Sequence, residues 1–282
     1  MEKNSDWEWE IKPEQGWFNL NLNELFLYKD LLLRFVRRNI IASYQQTILG
    51  PFWVFIQPLL TTFVYFLIFR KIANLSTDGI PPFLFYMPGS IIWTYFSDSL
   101  IATMNTFVYN SNIFSKVYFP RLIAPLSDVL FHTFRSSIQL ILFLLIYSFF
   151  LISNHNIMPS WVALLLPLLM LLTACFAFGA GLIISVFTAK YRDLDNILQF
   201  IVRLFMFATP IVYPISIVPE KYKILFWLNP LTSVIETFRS AFFGHHPIHV
   251  QYLLLSVFTV VTILFAGLIL FHKYEIKAMD VI

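Results

Sequence analysis

Four ionisable side chains interrupt apolar stretches of this 282-residue chain, and their types are those that hold or move ions and protons. They are Asp98, Asp128, Arg135 and Arg203. A charged group inside a bilayer is costly, so it is retained beside a partner or along a transport path. Their distances from the polar ends of these stretches predict similar depths and one cluster around a conduit. Structural pairs buried between helices are an equally good interpretation.

The chain lacks the patterns of a nucleotide site, a serine hydrolase or a metalloprotease. No Gly-x-x-x-x-Gly-Lys-Ser/Thr loop occurs among its eight glycines. His245, His246 and His249 have no acidic or thiol ligand nearby, and Pro247 interrupts any helical face, which disfavours a metal site. We therefore expect no catalytic site, metal or cofactor on this chain. Active transport would need energy from another polypeptide or from an ion gradient.

Composition indicates that lipid is the main solvent of this protein. Hydrophobic residues make up 58% and charged residues 12% of the chain, and the mean hydropathy is +0.72. The net charge of +3 is too small to suggest a nucleic-acid partner, so the basic residues are better interpreted as topology signals. The sequence predicts an all-α integral membrane protein.

Six segments are long and apolar enough to cross a hydrocarbon core of about 30 Å as helices. They lie near residues 51–70, 83–108, 122–152, 161–188, 195–213 and 250–271. Lys and Arg are more numerous on the side of the N-terminus, which predicts cytoplasmic N- and C-termini. The expected division is a cytoplasmic N-terminal segment at 1–50, a transmembrane domain at 51–271 and a cytoplasmic tail at 272–282.

Two segments outside these spans have helical patterns of their own. Asn23 to Gln46 predicts one amphipathic helix in the membrane interface, with arginines near lipid phosphates. Residues 214–249 are too short for two crossings and too apolar for a free loop, which predicts a re-entrant pair of helices near 219–228 and 230–243. Asn229 suits an N-cap and Gly244 a helix end. A lid that only packs is the alternative interpretation.

The ten residues 112–121, which we call the polar break, separate the second and third predicted spans. Lys116 and Arg121 favour the cytoplasmic side. Ile113, Phe114, Val117 and Tyr118 have the spacing of one apolar stripe on a short helix. The polar break therefore predicts a docking surface for a cytoplasmic partner.

Nine short motifs, in order along nearly the whole chain, carry a resemblance to a known family. They are Gln46 to Pro51 with Trp53, Gln57-Pro58, Asp78 to Pro81, Lys116 to Arg121, Tyr191 to Leu194, Thr209 to Pro214, Val218 to Glu220, Asn229-Pro230 and Glu236 to Arg239. With these motifs the chain resembles the membrane permease subunit of ABC exporters that move O-antigen, capsular polysaccharide or teichoic acid.

The resemblance implies a homodimer of this subunit joined to two copies of a separate ATP-binding subunit, which would hold ATP and Mg²⁺. It implies a bacterial inner-membrane location and a lipid-linked polysaccharide as substrate. The implied ATPase-coupling residues are Asn112, Ile113, Phe114, Lys116, Val117, Tyr118, Phe119, Pro120 and Arg121, with Tyr191, Arg192 and Asp193 in a second inner contact. The implied periplasmic gate contains Pro214, Pro219, Glu220, Asn229, Pro230, Glu236 and Arg239.

A sugar polymer presents hydroxyls and apolar ring faces, so aromatic side chains suit the wall of its channel. The candidates are Phe52, Trp53, Phe55, Tyr65, Trp93, Tyr95 and Tyr213. A secondary transporter or channel for another lipid-linked or amphipathic substrate is the alternative, although the two halves show no internal repeat. A membrane-embedded enzyme acting on lipid-linked sugars would need a reactive side chain, which only the predicted polar cluster could supply.

Overall fold

The structure is a computed structural model that describes residues 22–45, 47–153, 159–191, 193–244 and 249–279. Every regular element within these ranges is helical, so the all-α prediction is confirmed for them. The main helices are α1 (Lys29–Tyr44), α2 (Gly50–Ile72), α3 (Pro82–Met104), α4 (Ile123–Ser153), α5 (Trp161–Lys190), α6 (Leu194–Phe205), α7 (Glu220–Trp227), α8 (Pro230–Phe243) and α9 (Val250–Met279). Short helical turns occupy Leu22–Leu27, Thr106–Tyr109, Ser111–Phe114 and Ile215–Ile217.

Within the described residues, four helices are long and apolar enough to cross a membrane: α2, α4, α5 and α9. Helix α3 has 23 residues and is long enough, at about 1.5 Å per residue, but it is more polar. It packs against α2, α4, α5 and α8, and 16 of its residues are buried. Because α3 contacts protein rather than lipid on most sides, its hydroxyl groups and Asp98 need not face the hydrocarbon core. Its polarity is therefore compatible with a membrane-spanning position.

Helix α6 has only 12 residues, about 18 Å, which is too short to cross a bilayer alone. The predicted fifth span at 195–213 is therefore not one continuous helix. The chain leaves α6 at Phe205 and continues in turns past Thr209 and Pro210. The count of six crossings stays a prediction.

Helix α5 lies at the centre of the bundle because two glycines allow close contacts on different faces. A Cβ added to Gly267 of α9 would lie 2.4 Å from the carbonyl oxygen of Gly179, so the backbones of α5 and α9 touch. A Cβ added to Gly181 would lie 2.5 Å from Cβ of Thr103 on α3. Helix α5 therefore joins α3 and α9 in one packed unit.

The segment predicted as one interfacial helix is divided in two. Leu22–Leu27 and Lys29–Tyr44 are separate helices with a turn at Tyr28. Helix α1 packs on α4 and buries Phe35, while Arg34 and Arg37 are exposed. Residues 1–21 and Gln46, part of the predicted N-terminal segment, lie outside the described residues.

Helices α7 and α8 lie at the positions predicted between 219 and 244, while their arrangement as a re-entrant pair stays a prediction. Pro219 precedes α7, and Asn229 caps α8 by accepting a hydrogen bond from the backbone N–H of Leu231 at 3.1 Å. Gly244 ends α8 with φ 65°, a left-handed conformation that glycine adopts without strain. Every residue of α8 is buried, so this helix is inserted into the bundle rather than laid upon it.

Candidate functional site

The polar break is less helical than predicted. Helix α3 ends at Met104, two short turns follow, and the last of them stops at Phe114. Residues 115–121 form turns and extended backbone. Backbone hydrogen bonds from Val117 N–H to the Ile113 carbonyl (3.1 Å) and from Ile123 N–H to the Pro120 carbonyl (3.0 Å) hold this shape. The segment is a compact tip between α3 and α4.

The predicted apolar stripe on the polar break is wrong, because its members point in different directions. Phe114 is buried together with Phe119. Val117 is 59% exposed and Tyr118 is 86% exposed. A large exposed aromatic beside a cation is typical of a protein contact rather than of a packed core. The exposed tip of the polar break therefore consists of Lys116, Val117 and Tyr118.

A buried aromatic cluster supports this tip from below. The ring of Phe119 lies 5.6 Å from that of Phe35 on α1 and 5.6 Å from that of Phe114. Phe114 in turn lies 6.1 Å from Phe107, which stacks at 5.0 Å on Phe271 of α9. The cluster connects the polar break with both α1 and α9. A displacement of the tip therefore acts on these two helices through packed rings.

The polar break also encloses a cavity of about 250 Å³. Its lining residues are Phe114, Ser115, Lys116, Val117, Tyr118, Phe119 and Arg121. The cavity has an aromatic floor, two cationic side chains and no acidic one. Arg121 also donates to the backbone carbonyl of Glu275, which joins the start of α4 to α9.

The start of α6 is hydrogen-bonded to the end of α3. Asn105, which is 1% exposed, donates from Nδ2 to Asp195 Oδ1 at 2.7 Å, and Gln199 Nε2 donates to both carboxylate oxygens at 3.0 Å. Burial, and then the charge of Asp195, raise the pKa of nearby Tyr109 above its usual value. The end of α3 and the start of α6 are therefore in contact through these side chains.

The second predicted coupling contact is partly described. Tyr191 and Asp193 are exposed at the turn between α5 and α6. Arg192 lies outside the described residues, as do residues 245–248 with two of the three clustered histidines and residues 280–282 of the predicted tail. Of the described residues, no group of three His, Cys, Asp or Glu could hold a metal ion.

The four ionisable residues do not form one cluster. Arg135 makes an ion pair with Asp98 at 3.2 Å and also donates to the side-chain oxygen of Gln57, which joins α4 to α3 and α2. Asp128 instead accepts from Asn39 of α1 at 2.7 Å. Arg203 is exposed and makes no hydrogen bond or ion pair with the described part of the chain. The prediction of a single four-residue cluster is wrong, and the pairs join neighbouring helices.

Two of the seven candidate wall residues are buried inside the subunit. Trp93 packs against Phe205 at 6.1 Å, and Tyr95 shares a hydrogen bond of 2.7 Å with Thr133. They pack the core and cannot form a channel wall, which corrects the prediction for both. Tyr65 is half-buried and donates to Met206 Sδ at 3.3 Å, and half-buried Tyr213 donates to the Phe207 carbonyl at 2.7 Å. Phe52 and Trp53 are exposed, and Phe55 is half-buried.

Arg239 of α8 is the most enclosed charged residue that the structure describes. It is 1% exposed and pairs with Glu236 at 2.8 Å. Its guanidinium donates to the carbonyls of Pro210 and Ile211 at 2.8 Å each and lies 3.8 Å from the ring centre of Phe85. These bonds satisfy backbone carbonyls that the interruption after α6 leaves without helical partners.

The other predicted gate residues differ in exposure. Pro214 and Pro230 are buried, whereas Pro219 and Glu220 are exposed, and Glu220 pairs with Lys223 at 2.6 Å. Asn229 is buried and also donates to the Thr209 hydroxyl at 2.8 Å. Sequence reasoning missed the contacts of Asn105, Asn39 and Thr209; the available signals were the place of Asn105 directly after α3 and of Thr209 in one of the nine motifs, while Asn39 inside α1 gave none.

Comparisons with known proteins extend over most of the chain. The family model of the ABC-2 type transporter matches residues 31–243. The O-antigen export system permease protein RfbA of Klebsiella pneumoniae is 28% identical over 265 residues, 93% of this chain and 97% of the relative. RfbA of Myxococcus xanthus is 27% identical over 226 residues, 79% and 84% of the two chains. The polysialic acid transport protein KpsM of Escherichia coli is 24% identical over 249 residues, 84% and 91%.

Proposed function

Because the chain belongs to the ABC-2 type transporter family, we propose that it is the permease subunit of an ATP-driven exporter that moves a lipid-linked, O-antigen-like polysaccharide out of the cytoplasm. The observation that carries this proposal is the end-to-end similarity to O-antigen export permeases, which includes every element from the polar break to α8. The similarity to a polysialic acid transport protein supports a polymer as the substrate class.

The proposed assembly contains two copies of this chain and two copies of an ATP-binding subunit. The exposed tip Lys116, Val117 and Tyr118 would contact the ATP-binding subunit. The support is physical: a side chain that is 86% exposed above a buried aromatic cluster can be desolvated by a partner without unfolding its base. Both termini and the polar break would lie on the cytoplasmic side of the inner membrane.

The conduit would lie between the two copies of the subunit. Helix α2 supports this arrangement because it presents exposed aromatics, Phe52 and Trp53, at its start and has few buried residues. Aromatic faces suit sugar rings, and contacts of modest strength allow a polymer to slide. Helix α8, fully buried and held by Arg239, would form the gate at the opposite end from the polar break.

In the proposed cycle, ATP binding closes the two ATP-binding subunits and moves the tip of each polar break. The tip transmits this movement because Phe114 and Phe119 connect it to α1 and α9 without an intervening flexible loop. The permeases would then change between closed and open arrangements, and the ATP-binding subunit alone would perform the hydrolysis.

The test is co-purification of the tagged chain from cells that express it together with a candidate ATP-binding subunit. Tyr118→Asp places a charge on the exposed tip, and Ser153→Asp places the same charge at the exposed opposite end of α4 as a control. We expect Tyr118→Asp to lower recovery of the ATP-binding subunit at least tenfold, since interface aromatics contribute about 2 kcal/mol or more. Ser153→Asp should leave recovery unchanged.

Polymer export measured in the same cells should decrease with that recovery. The proposal would be refuted if the purified chain, alone in vesicles, moved polysaccharide against its gradient. A stable complex that never contains an ATP-binding subunit would support the secondary transporter instead.

A further inference from the structure

We propose that α6 is a rigid link that carries movement from the polar break to α8, held at one end by Asp195 and at the other by Thr209, Pro210 and Ile211. The inference rests on the proposed function, since it concerns how force from a partner reaches the far end of the bundle. It assigns positioning roles to Asn105, Asp195 and Thr209, for which the motifs and the relatives provide none.

The contact at the first end of α6 is specific. The Asn105 amide is almost completely buried and donates to Asp195 Oδ1 at 2.7 Å, while Gln199, one turn along α6, donates to both carboxylate oxygens. A carboxylate that accepts several hydrogen bonds is held in one orientation. The start of α6 must therefore follow Asn105 when that residue moves.

Asn105 in turn follows the exposed tip of the polar break. Its carbonyl accepts from Tyr109 N–H at 2.9 Å, the Asn110 carbonyl accepts from Ile113 N–H at 2.9 Å, and the Ile113 carbonyl accepts from Val117 N–H at 3.1 Å. The contact between the rings of Phe107 and Phe114 adds packing along the same path. Successive helical turns that share hydrogen bonds move together rather than as a loose loop.

The residues that follow the second end of α6 contact α8. Asn229, which caps α8, donates to the Thr209 hydroxyl at 2.8 Å. Arg239, near the end of α8, donates to the carbonyls of Pro210 and Ile211. Asn229 at the start of α8 and Arg239 near its end thus hold three consecutive residues that follow α6. Helix α8 can therefore neither slide nor rotate independently of these three residues.

Between its two ends α6 is almost free of the rest of the subunit. Val202 is its one buried residue, whereas Phe200, Ile201 and Leu204 are each more than half exposed. Trp93 and Phe96 contact Phe205 only where the helix ends. A 12-residue helix of about 18 Å that is held at its ends can be displaced as a unit, which a helix packed along its length cannot.

The experiment exchanges the two partners at the first end of α6. Asn105→Asp opposes two carboxylates, and Asp195→Asn removes the charge that orients both amides. The double variant Asn105→Asp/Asp195→Asn restores a carboxylate facing an amide. Asn196→Asp, on the exposed neighbouring residue of α6, is the matched control. Each complex, purified with its ATP-binding subunit in vesicles, is assayed for ATP hydrolysis and for polymer exported per ATP hydrolysed.

We expect each single variant to retain the ATP-binding subunit and its hydrolysis but to export at least fivefold less polymer per ATP. The double variant should return to within twofold of the parent, and Asn196→Asp should match the parent. Restoration by exchange would not follow from a purely structural defect at either position. Parental export per ATP in both single variants, or a double variant no better than they are, would overturn the inference while leaving the proposed function intact.

A variant at the second end of α6 tests the link as a whole. Thr209→Val removes the hydroxyl that Asn229 contacts and keeps the shape of the side chain. We expect it to lower export per ATP as Asp195→Asn does. The variant that combines both substitutions should export no less polymer per ATP than the more impaired of the two single variants. Losses that multiply in the combined variant would show two independent defects and overturn the link.

Discussion

The close approach of α5 and α9 makes Gly267→Ala the most quantitative test of the packing. The added Cβ would lie 2.4 Å from the Gly179 carbonyl oxygen, about 0.6 Å closer than real Cβ contacts allow. The obstacle is backbone, so neither helix can relieve the contact by rotating a side chain. The helices must separate or tilt, and such overpacking costs about 1–3 kcal/mol.

The assay is the apparent melting temperature of the purified protein, measured by size-exclusion chromatography after heating. At roughly 2–4 °C per kcal/mol, Gly267→Ala should lower it by roughly 2–12 °C. Gly89→Ala is the milder comparison, because its Cβ would lie 3.1 Å from Cγ2 and 3.2 Å from the carbonyl oxygen of Ile211, contacts that a shift of a few tenths of an ångström relieves. A Gly267→Ala protein as stable as the Gly89→Ala protein would refute the backbone contact between α5 and α9.

Two further predictions concern polar contacts between helices. Asp98→Asn should lower stability by about 1–3 kcal/mol, because it removes the negative charge that pairs with the Arg135 guanidinium, and Asp98→Asn/Arg135→Gln should lower it less. A double variant less stable than Asp98→Asn would contradict that reasoning. Asn229→Ala should cost about 1–2 kcal/mol through loss of the α8 cap and of the Thr209 contact. Asn229→Asp keeps a capping oxygen, so a melting temperature as low as that of Asn229→Ala would argue against the cap.

The predicted helices agree with the structure where local patterns determine them. Long apolar runs produced α2, α4, α5 and α9, and the Asn229 and Gly244 signals placed the ends of α8 within a residue. Local rules also explain the failure at 195–213. Hydropathy continues past Phe205, but Thr209-Pro210 interrupts the backbone hydrogen bonds, and the Arg239 guanidinium then takes the carbonyls that the helix has lost.

The candidate site was less predictable because its residues are distant in sequence. The contact of Asn105 with Asp195 could not be predicted from residue type, because the two residues are 90 positions apart in the sequence. Asp98, Asp128 and Arg135 have partners on neighbouring helices, as predicted, whereas Arg203 has none among the described residues, and similar depth did not specify which helices face each other. Asp128 of α4 faces α1, whereas Asp98 of α3 faces α4. The rotation of each helix about its own axis determines which neighbour its side chains face, and hydropathy does not encode that rotation.

Three charged side chains of this chain lie at junctions between helices. Arg135 joins α2, α3 and α4, Asp195 joins α6 to the end of α3, and Arg239 joins α8 to the interruption after α6. In lipid, apolar helix surfaces gain no hydrophobic free energy by contacting one another instead of lipid tails, so they do not define the orientation of one helix relative to the next. Directional hydrogen bonds do define it. A subunit that moves under force from a partner needs these definite contacts, because without them α6 and α8 could slide past their neighbours and the displacement would be lost.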